Sequence, residues 1–96
     1  MVFSENIQYR KKFSKLSLYE EELVRSKEFE DCKFEGCTFI NCKFEKLKFI
    51  NCIFNDCILS AVALADCRFI ETRFTKCKVI GFDWTKTPHI RDISFE

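Results

Sequence analysis

The chain has 96 residues, of which 16 are basic and 15 acidic, with seven cysteines, twelve phenylalanines, two glycines and one proline. This length accommodates one domain, and the near-zero net charge gives no electrostatic case for direct nucleic-acid binding. Nearly half of the residues are apolar, which excludes a disordered chain, and the low glycine and proline content excludes collagen-like or low-complexity sequence.

The N-terminal sequence and the cysteine count predict a cytoplasmic protein. No apolar run of signal-peptide length follows the basic residues near the N-terminus. The longest purely apolar run, residues 61–65, is far shorter than the about 20 residues that a membrane span needs. An odd number of cysteines without a secretion signal favours reduced thiols. We therefore expect no disulfide bonds and no membrane association.

Residues 1–26 are predicted to form a cap with an irregular first coil. The apolar positions that suggest a coil are Phe13, Leu18 and Leu23, each five residues after the last. The next step, to Phe29, is six residues long, so the register degrades here. A short helix fits residues 18–25, because Ser17 and Glu20 match a capping box.

A five-residue period organises residues 27–86. Twelve consecutive registers carry a large apolar residue, here called the centre: Phe29, Phe34, Phe39, Phe44, Phe49, Phe54, Leu59, Leu64, Phe69, Phe74, Val79 and Trp84. All seven cysteines lie two residues before a centre: Cys32, Cys37, Cys42, Cys52, Cys57, Cys67 and Cys77. Self-similarity at a fixed period is the signature of a repeat architecture.

A period of five fits neither an α-helix nor a straight strand. On a helix the repeat drifts around the cylinder, and in a strand it moves the side chain to the other face. The chain must therefore turn a corner within each repeat, so that the centre and the residue two before it both point inward. With corners near a right angle, four repeats close one square coil. Residues 27–86 then supply about three coils, stacked as parallel strands.

This geometry assigns the apolar residues to an interior. Residues twenty positions apart should stack in columns: Phe29–Phe49–Phe69, Phe34–Phe54–Phe74, Phe39–Leu59–Val79 and Phe44–Leu64–Trp84. A narrow tube accepts only small groups at the alternate inward positions, and free cysteine behaves as a small buried hydrophobe. We interpret the twelve centres and the seven cysteines as structural core.

The pattern resembles the pentapeptide repeat family, whose consensus places a small residue two positions before a central Leu or Phe. The segments 28–34 and 77–82 carry the resemblance, which extends over residues 27–86. It implies a right-handed quadrilateral β-helix, similar to the N-terminal half of quinolone-resistance-like pentapeptide proteins. Some family members protect DNA gyrase or topoisomerase IV from quinolones by presenting an acidic, rod-like dimer in place of DNA.

Charge weighs against that role for this chain. Between Phe29 and Trp84 there are eight acidic and eight basic residues. A protein that imitates a polyanion needs a clear acidic excess. Topoisomerase binding is therefore kept as the alternative function, and an interaction or scaffold module with an unidentified protein partner is the main hypothesis.

Residues 87–96 are predicted to be a loop and tail. Pro88 lacks the N–H that a strand ladder requires, while residues 93–96 look like the opening of another repeat. Either this segment folds back as a cap or it leads into a second stack. An uncapped coil end would favour an end-to-end homodimer.

The sequence predicts no catalytic, cofactor or metal site. His89 is the sole histidine and falls in the predicted loop, away from the inward cysteines, so no Cys–His pair is expected. Zinc sites use closely spaced cysteine pairs, whereas every spacing here is a multiple of five. Stacked neighbours such as Cys37 and Cys57 have parallel Cβ directions, which suit a disulfide poorly. We expect a non-enzymatic protein.

Outward isoleucines are the candidates for a partner surface. They are Ile40, Ile50, Ile58, Ile70 and Ile80. Ile50 and Ile70 should stack on one face, and the other three should cluster on another. A column of exposed apolar residues suits a protein partner, but β-branched residues also suit strands with no partner at all.

Overall fold

A computed structural model of the chain describes residues 7–19, 23–81, 89–91 and 93–95, with only the strand described for 89–91. The strands in this part of the chain are β1 (Ile7–Tyr9), β2 (Lys12–Ser14), β3 (Ser17–Leu18), β4 (Leu23–Arg25), β5 (Glu28–Glu30), β6 (Lys33–Glu35), β7 (Thr38–Ile40), β8 (Lys43–Glu45), β9 (Lys48–Ile50), β10 (Ile53–Asn55), β11 (Ile58–Ser60), β12 (Ala63–Ala65), β13 (Arg68–Ile70), β14 (Arg73–Thr75), β15 (Lys78–Ile80), β16 (His89–Arg91) and β17 (Ser94–Phe95). No helix occurs among these residues.

The strands stack into four sheets that form the walls of a square tube. Sheet 1 has the order β1-β5-β9-β13-β16, sheet 2 has β2-β6-β10-β14-β17, sheet 3 has β3-β7-β11-β15 and sheet 4 has β4-β8-β12. The strand pairs are parallel. The predicted all-β parallel solenoid is confirmed, and it has about four turns where three were expected.

The centres pair with each other at a register of twenty residues. Phe54, for example, pairs with Phe34 on one side and with Phe74 on the other. The predicted columns through Phe29, Phe34, Phe39 and Phe44 are present, up to Val79 and Leu64. Ring centroids in the phenylalanine columns of sheets 1 and 2 lie 4.6–5.0 Å apart in a stacked arrangement. Two walls of the tube therefore contribute continuous aromatic stacks to its interior.

The inward positions of the middle coils are enclosed. Phe54 is 1% exposed and Cys52 0% exposed, and the other centres and cysteines from Phe29 to Phe74 are buried as well. Cys77 and Val79, in the fourth coil, are only partly buried. Trp84 lies outside the described residues, so its place in the predicted column stays a prediction.

The predicted break in the N-terminal register is misplaced. Leu18 pairs with Phe39 and Val24 pairs with Phe44, so the six-residue step lies between Leu18 and Val24. Val24 is buried, whereas Leu23, which was expected to be a centre, is 39% exposed. The local sequence does not show which of two adjacent apolar residues points inward. Pairing with the next coil determines it.

The predicted N-terminal helix is wrong where it can be judged. Leu18 ends β3 and Leu23 opens β4, while Glu20, with the proposed capping contact, lies outside the described residues. The backbone N–H of Thr38 donates to the carbonyl of Leu16 at 2.7 Å, which ties this first coil to the second. Pairing with a preformed neighbouring coil outweighs a weak local helix preference.

The described residues of the C-terminal segment continue the solenoid, where a loop and tail were predicted. Ile90 in β16 pairs with Phe69, and Phe95 in β17 pairs with Phe74. Both steps are 21 residues, so one extra residue has been inserted after Val79. Pro88 lies outside the described residues. The resemblance of residues 93–96 to a repeat agrees with this pairing, whereas the prediction of a loop and tail does not.

The corners of the tube use left-handed backbone. In each described repeat the residue two after the centre has a φ between +50° and +77°. Seven of these corners carry the residues that tolerate this conformation best: Asp31, Gly36, Asn41, Asn51, Asp56, Asp66 and Gly81. Stacked corners also interact, since Asn51 Nδ2 donates to Asp31 Oδ1 at 2.6 Å. Other residue types adopt left-handed backbone at a cost of about 1–2 kcal/mol.

Ala61 is a corner residue with a φ of +54°, stacked between the corners Asn41 and Gly81. We expect Ala61→Asn to raise the free energy of unfolding by about 0.5–1 kcal/mol, because asparagine tolerates this backbone better than alanine. Urea unfolding measures the change. Ala65→Asn, at the end of strand β12, is the matched control and should give no gain. A gain of equal size at both positions would contradict the corner explanation.

Candidate interaction surfaces

The inward thiols act as hydrogen-bond donors that tie neighbouring coils together. Cys52 Sγ donates to the carbonyl of Phe29 in the preceding coil at 3.3 Å and to that of Ile50 at 3.4 Å. Thr72 occupies the next position of the same column, and its hydroxyl donates to the equivalent carbonyls at 3.4 and 3.2 Å. The seven cysteines are free thiols. Their positions and contacts indicate a structural role.

Burial changes the acidity of these thiols. The pKa of Cys52 is raised to about 12, because burial disfavours the thiolate. Interaction between the stacked thiols of Cys37 and Cys57 lowers the pKa of Cys37 and raises the pKa of Cys57. Burial also raises the pKa of three further thiols: Cys32, Cys67 and Cys77. Cys52 is therefore a protonated thiol at neutral pH, which is not the state of a nucleophile.

The described residues that could serve as metal ligands do not form a cluster. Within residues 7–19, 23–81, 89–91 and 93–95, no three His, Cys, Asp or Glu residues are grouped to hold a metal ion. His89 lies in β16, paired with Arg68, and not in a loop. The part of the chain that is described contains no helix long and apolar enough to cross a membrane.

The outer faces of the tube differ sharply in charge. The first and third residues of each strand point outward, and those of sheet 3 are almost uncharged. They are Ser17, Thr38, Ile40, Ile58, Ser60, Lys78 and Ile80, and the uncharged Tyr19 directly follows β3. Sheets 1, 2 and 4 instead carry both acidic and basic residues at these positions.

Sheet 3 also exposes large apolar side chains. Tyr19 is 42% exposed, Ile58 39% and Ile80 53%, whereas Ile40 is half-buried. Ile40 and Ile80 both pair with Ser60, from opposite sides, so they share one column. Three of the five predicted surface isoleucines are thus brought together on this face, with Ile58 in the adjacent column.

The other two predicted isoleucines lie elsewhere. Ile50 and Ile70 pair with each other on sheet 1 and are both half-buried. The outward positions around them are charged: Glu28, Glu30, Lys48 and Arg68. The predicted stacking is present, but these two residues do not extend the apolar face of sheet 3.

The two ends of the described tube also differ. At the C-terminal end Phe95 is 56% exposed and stacks on Phe74, with ring centroids 5.1 Å apart. The first coil carries exposed cations: Arg10, Lys11, Lys12 and Lys15. The predicted homodimer stays a prediction.

These features define a class: a repeat protein that folds into a square parallel β-solenoid with one corner in every five residues. A family model described as "Pentapeptide repeat region" matches residues 27–96. The chain therefore belongs to the pentapeptide repeat family.

Comparison with solved structures finds the trypsin-treated M102R form of QnrB1, a plasmid-mediated fluoroquinolone resistance protein. The similarity has 12% sequence identity and a TM-score of 0.33, and it covers 79% of this chain. The match spans 61% of that protein's chain. A comparison with curated proteins finds no match.

Two surface features were missed by sequence reasoning. Glycine, asparagine and aspartate recur two residues after the centres, and this phase marked the corners. Lys12 and Lys33 pair side by side on sheet 2, although they are 21 residues apart. A strict twenty-residue register would not place these two lysines opposite each other. The extra residue before Val24 shifts the register by one and brings them into a pair.

Proposed function

We propose that this chain is a non-enzymatic, cytoplasmic protein-binding module, and that the outer surface of sheet 3 is its docking face. One observation carries the proposal: this wall has a single charged residue, Lys78, among its described outward strand positions, and it exposes Tyr19, Ile58 and Ile80. The cores of protein interfaces are depleted in charge and enriched in aromatic and apolar side chains. A rigid parallel sheet holds such a surface in one shape before the partner arrives, which lowers the entropy lost on binding.

The alternative function, protection of a topoisomerase by DNA mimicry, is less well supported by this surface. A protein that replaces DNA needs an acidic face. Sheet 3 has no acidic residue at its described outward positions, and sheet 2 has one, Glu35, on a wall that also carries Lys12, Lys33 and Arg73. The alternative is therefore retained as an outcome of the experiment and not as its expected result.

The test places charge on the docking face. Ile58→Lys/Ile80→Lys should reduce the partner protein captured from a cell lysate at least tenfold, because two desolvated charges oppose burial of the interface. The matched control is Ile7→Lys/Leu23→Lys, which changes two exposed apolar residues on sheets 1 and 4 and should leave capture unchanged. Captured proteins are compared by quantitative mass spectrometry, after circular dichroism has shown that both variants are folded.

Equal loss with both double variants would contradict a specific role for sheet 3. Gyrase supercoiling with and without a quinolone, measured in the presence of the unmodified protein, tests the alternative directly. Restoration of supercoiling under quinolone would replace the proposed function with topoisomerase protection.

A further inference from the structure

Sheet 2 carries a concentration of cations that the net charge of the chain conceals. The first residues of its strands form one outward column: Lys12, Lys33, Ile53, Arg73 and Ser94. The corner that follows each strand adds a second column, Lys15, Gly36, Asp56 and Lys76. The strands and this corner column carry five cations and two carboxylates, Glu35 and Asp56, and the corner column that precedes the strands adds Arg10, Asp31, Asn51 and Glu71. We propose that this wall binds the phosphodiester backbone of a nucleic acid, without reading base sequence.

The spacing of the cations suits a row of phosphates. Neighbouring parallel strands lie about 4.8 Å apart, so Lys12 and Lys33 are adjacent and Arg73 lies about 14 Å from Lys12 along the column. The cations are fixed on a rigid sheet, and the lysines are accessible. The side chain of Lys12 is 60% exposed and that of Lys33 48%.

The uncharged residues of the wall also match a phosphate-binding surface. The third residues of the strands form a column of Ser14, Glu35, Asn55 and Thr75. Phosphate contacts in nucleic-acid complexes come mainly from Lys and Arg, with Ser, Thr and Asn as supporting donors. An acidic protein partner would also need apolar anchors, and this wall offers only the half-buried Ile53 among its outward strand residues.

Glu35 is the main opposing group. It lies 3.6 Å from the Lys12 ammonium and 3.8 Å from that of Lys33. Exposed ion pairs of this length contribute little free energy. Either lysine can therefore bind a phosphate in place of Glu35 at a small energetic cost. The net charge of the chain misled the sequence-based expectation because it averages four walls, one of which is basic.

The experiment measures the fluorescence anisotropy of short labelled oligonucleotides, single-stranded DNA, single-stranded RNA and duplex, in about 50 mM to 200 mM salt. For a single strand, the five cations in contact predict a slope of log affinity against log salt of about −3.5, from about 0.7 per phosphate. Lys33→Gln/Lys76→Gln should weaken binding at least fivefold and reduce the magnitude of the slope by about 1.4. Glu35→Gln should strengthen binding at least twofold.

The control matches both charge and backbone position. Lys43→Gln/Lys46→Gln removes one lysine that opens a strand and one at a left-handed corner, as the test variant does, but beside sheet 4. It should change affinity by less than twofold. Equal weakening by both variants would overturn the proposal, because binding would then follow net charge alone. No anisotropy change at the lower salt would also overturn it, as would equally tight binding of polyglutamate, which would assign the wall to acidic proteins.

Discussion

Phe54→Ala is expected to reduce the free energy of unfolding by about 3–5 kcal/mol, close to the full stability of many small domains. Phe54 is 1% exposed and lies in the middle of a stack, 4.6 Å from Phe34 and 4.9 Å from Phe74 between ring centroids. A further contact with Phe49, at 5.4 Å, joins it to the adjacent wall. Truncation leaves a cavity that rigid stacked coils cannot close.

The effect should be larger than burial alone suggests, because solenoid stability depends on contacts between neighbouring repeats. Phe54 contributes to the interface with the coil before it and with the coil after it. Phe95, in contrast, stacks on Phe74 at the end of the described column and is 56% exposed. Phe95→Ala should therefore cost less than about 1 kcal/mol.

Urea unfolding followed by circular dichroism measures these changes. Lys43→Ala, an exposed strand residue of sheet 4, should stay within about 0.5 kcal/mol of the unmodified protein. Similar losses for Phe54→Ala and Lys43→Ala would show that the inward register is wrong. If Phe54→Ala does not fold at all, Phe54→Leu provides a milder truncation and should still destabilise more than Phe95→Ala.

The middle of the tube could be predicted from the sequence because the apolar centre of each repeat indicates its register independently. From Phe29 to Phe74 the centres recur without insertion, and each lies opposite the residue twenty positions away. The placement of Cys52 and Cys57 beside these centres followed from the same phase. Such repetition averages out the local ambiguity that limits prediction for other folds.

The first and last coils could not be predicted in this way, because each contains one extra residue. Leu23 and Val24 are both apolar, and only the pairing of Val24 with Phe44 shows which one points inward. After Val79 the insertion shifts Ile90 and Phe95 out of the five-residue phase, so a loop was expected there. A single inserted residue is hard to recognise in the local sequence, because it acts by changing the register with the neighbouring coil.

The surface candidates were only partly predictable for a related reason. Ile40, Ile58 and Ile80 were placed on one face, but the near absence of charge around them depends on Ser17 and Tyr19 of the first coil. The basic wall of sheet 2 likewise needs Lys12 to be beside Lys33. Surface properties depend on which columns become neighbours, and sequence composition does not contain that information.

Raising the pH from 8 to 10 is expected to favour the Cys52→Ser variant over the unmodified protein by about 1.4 kcal/mol in free energy of unfolding. The pKa of Cys52 is raised from 9.0 to about 12 by burial, so its thiol stays protonated in the fold while it ionises in the unfolded chain. A raised pKa in the folded state gives stability that is complete below pH 9.0 and is lost progressively up to about pH 12. Serine does not titrate in this range, so the variant lacks this loss.

The substitution is a mild one because a hydroxyl already occupies the same column. Thr72 donates to carbonyls of its own and the preceding coil, as Cys52 does, at 3.2 and 3.4 Å. Urea unfolding at several pH values compares Cys52→Ser with the unmodified protein, since the other titrating groups are common to both and cancel. Cys77→Ser, at a half-buried thiol, should show a smaller shift with pH. A difference between Cys52→Ser and the unmodified protein that does not change between pH 8 and 10 would mean that Cys52 titrates in the fold as it does in the unfolded chain, and that the tube admits water to its middle coils.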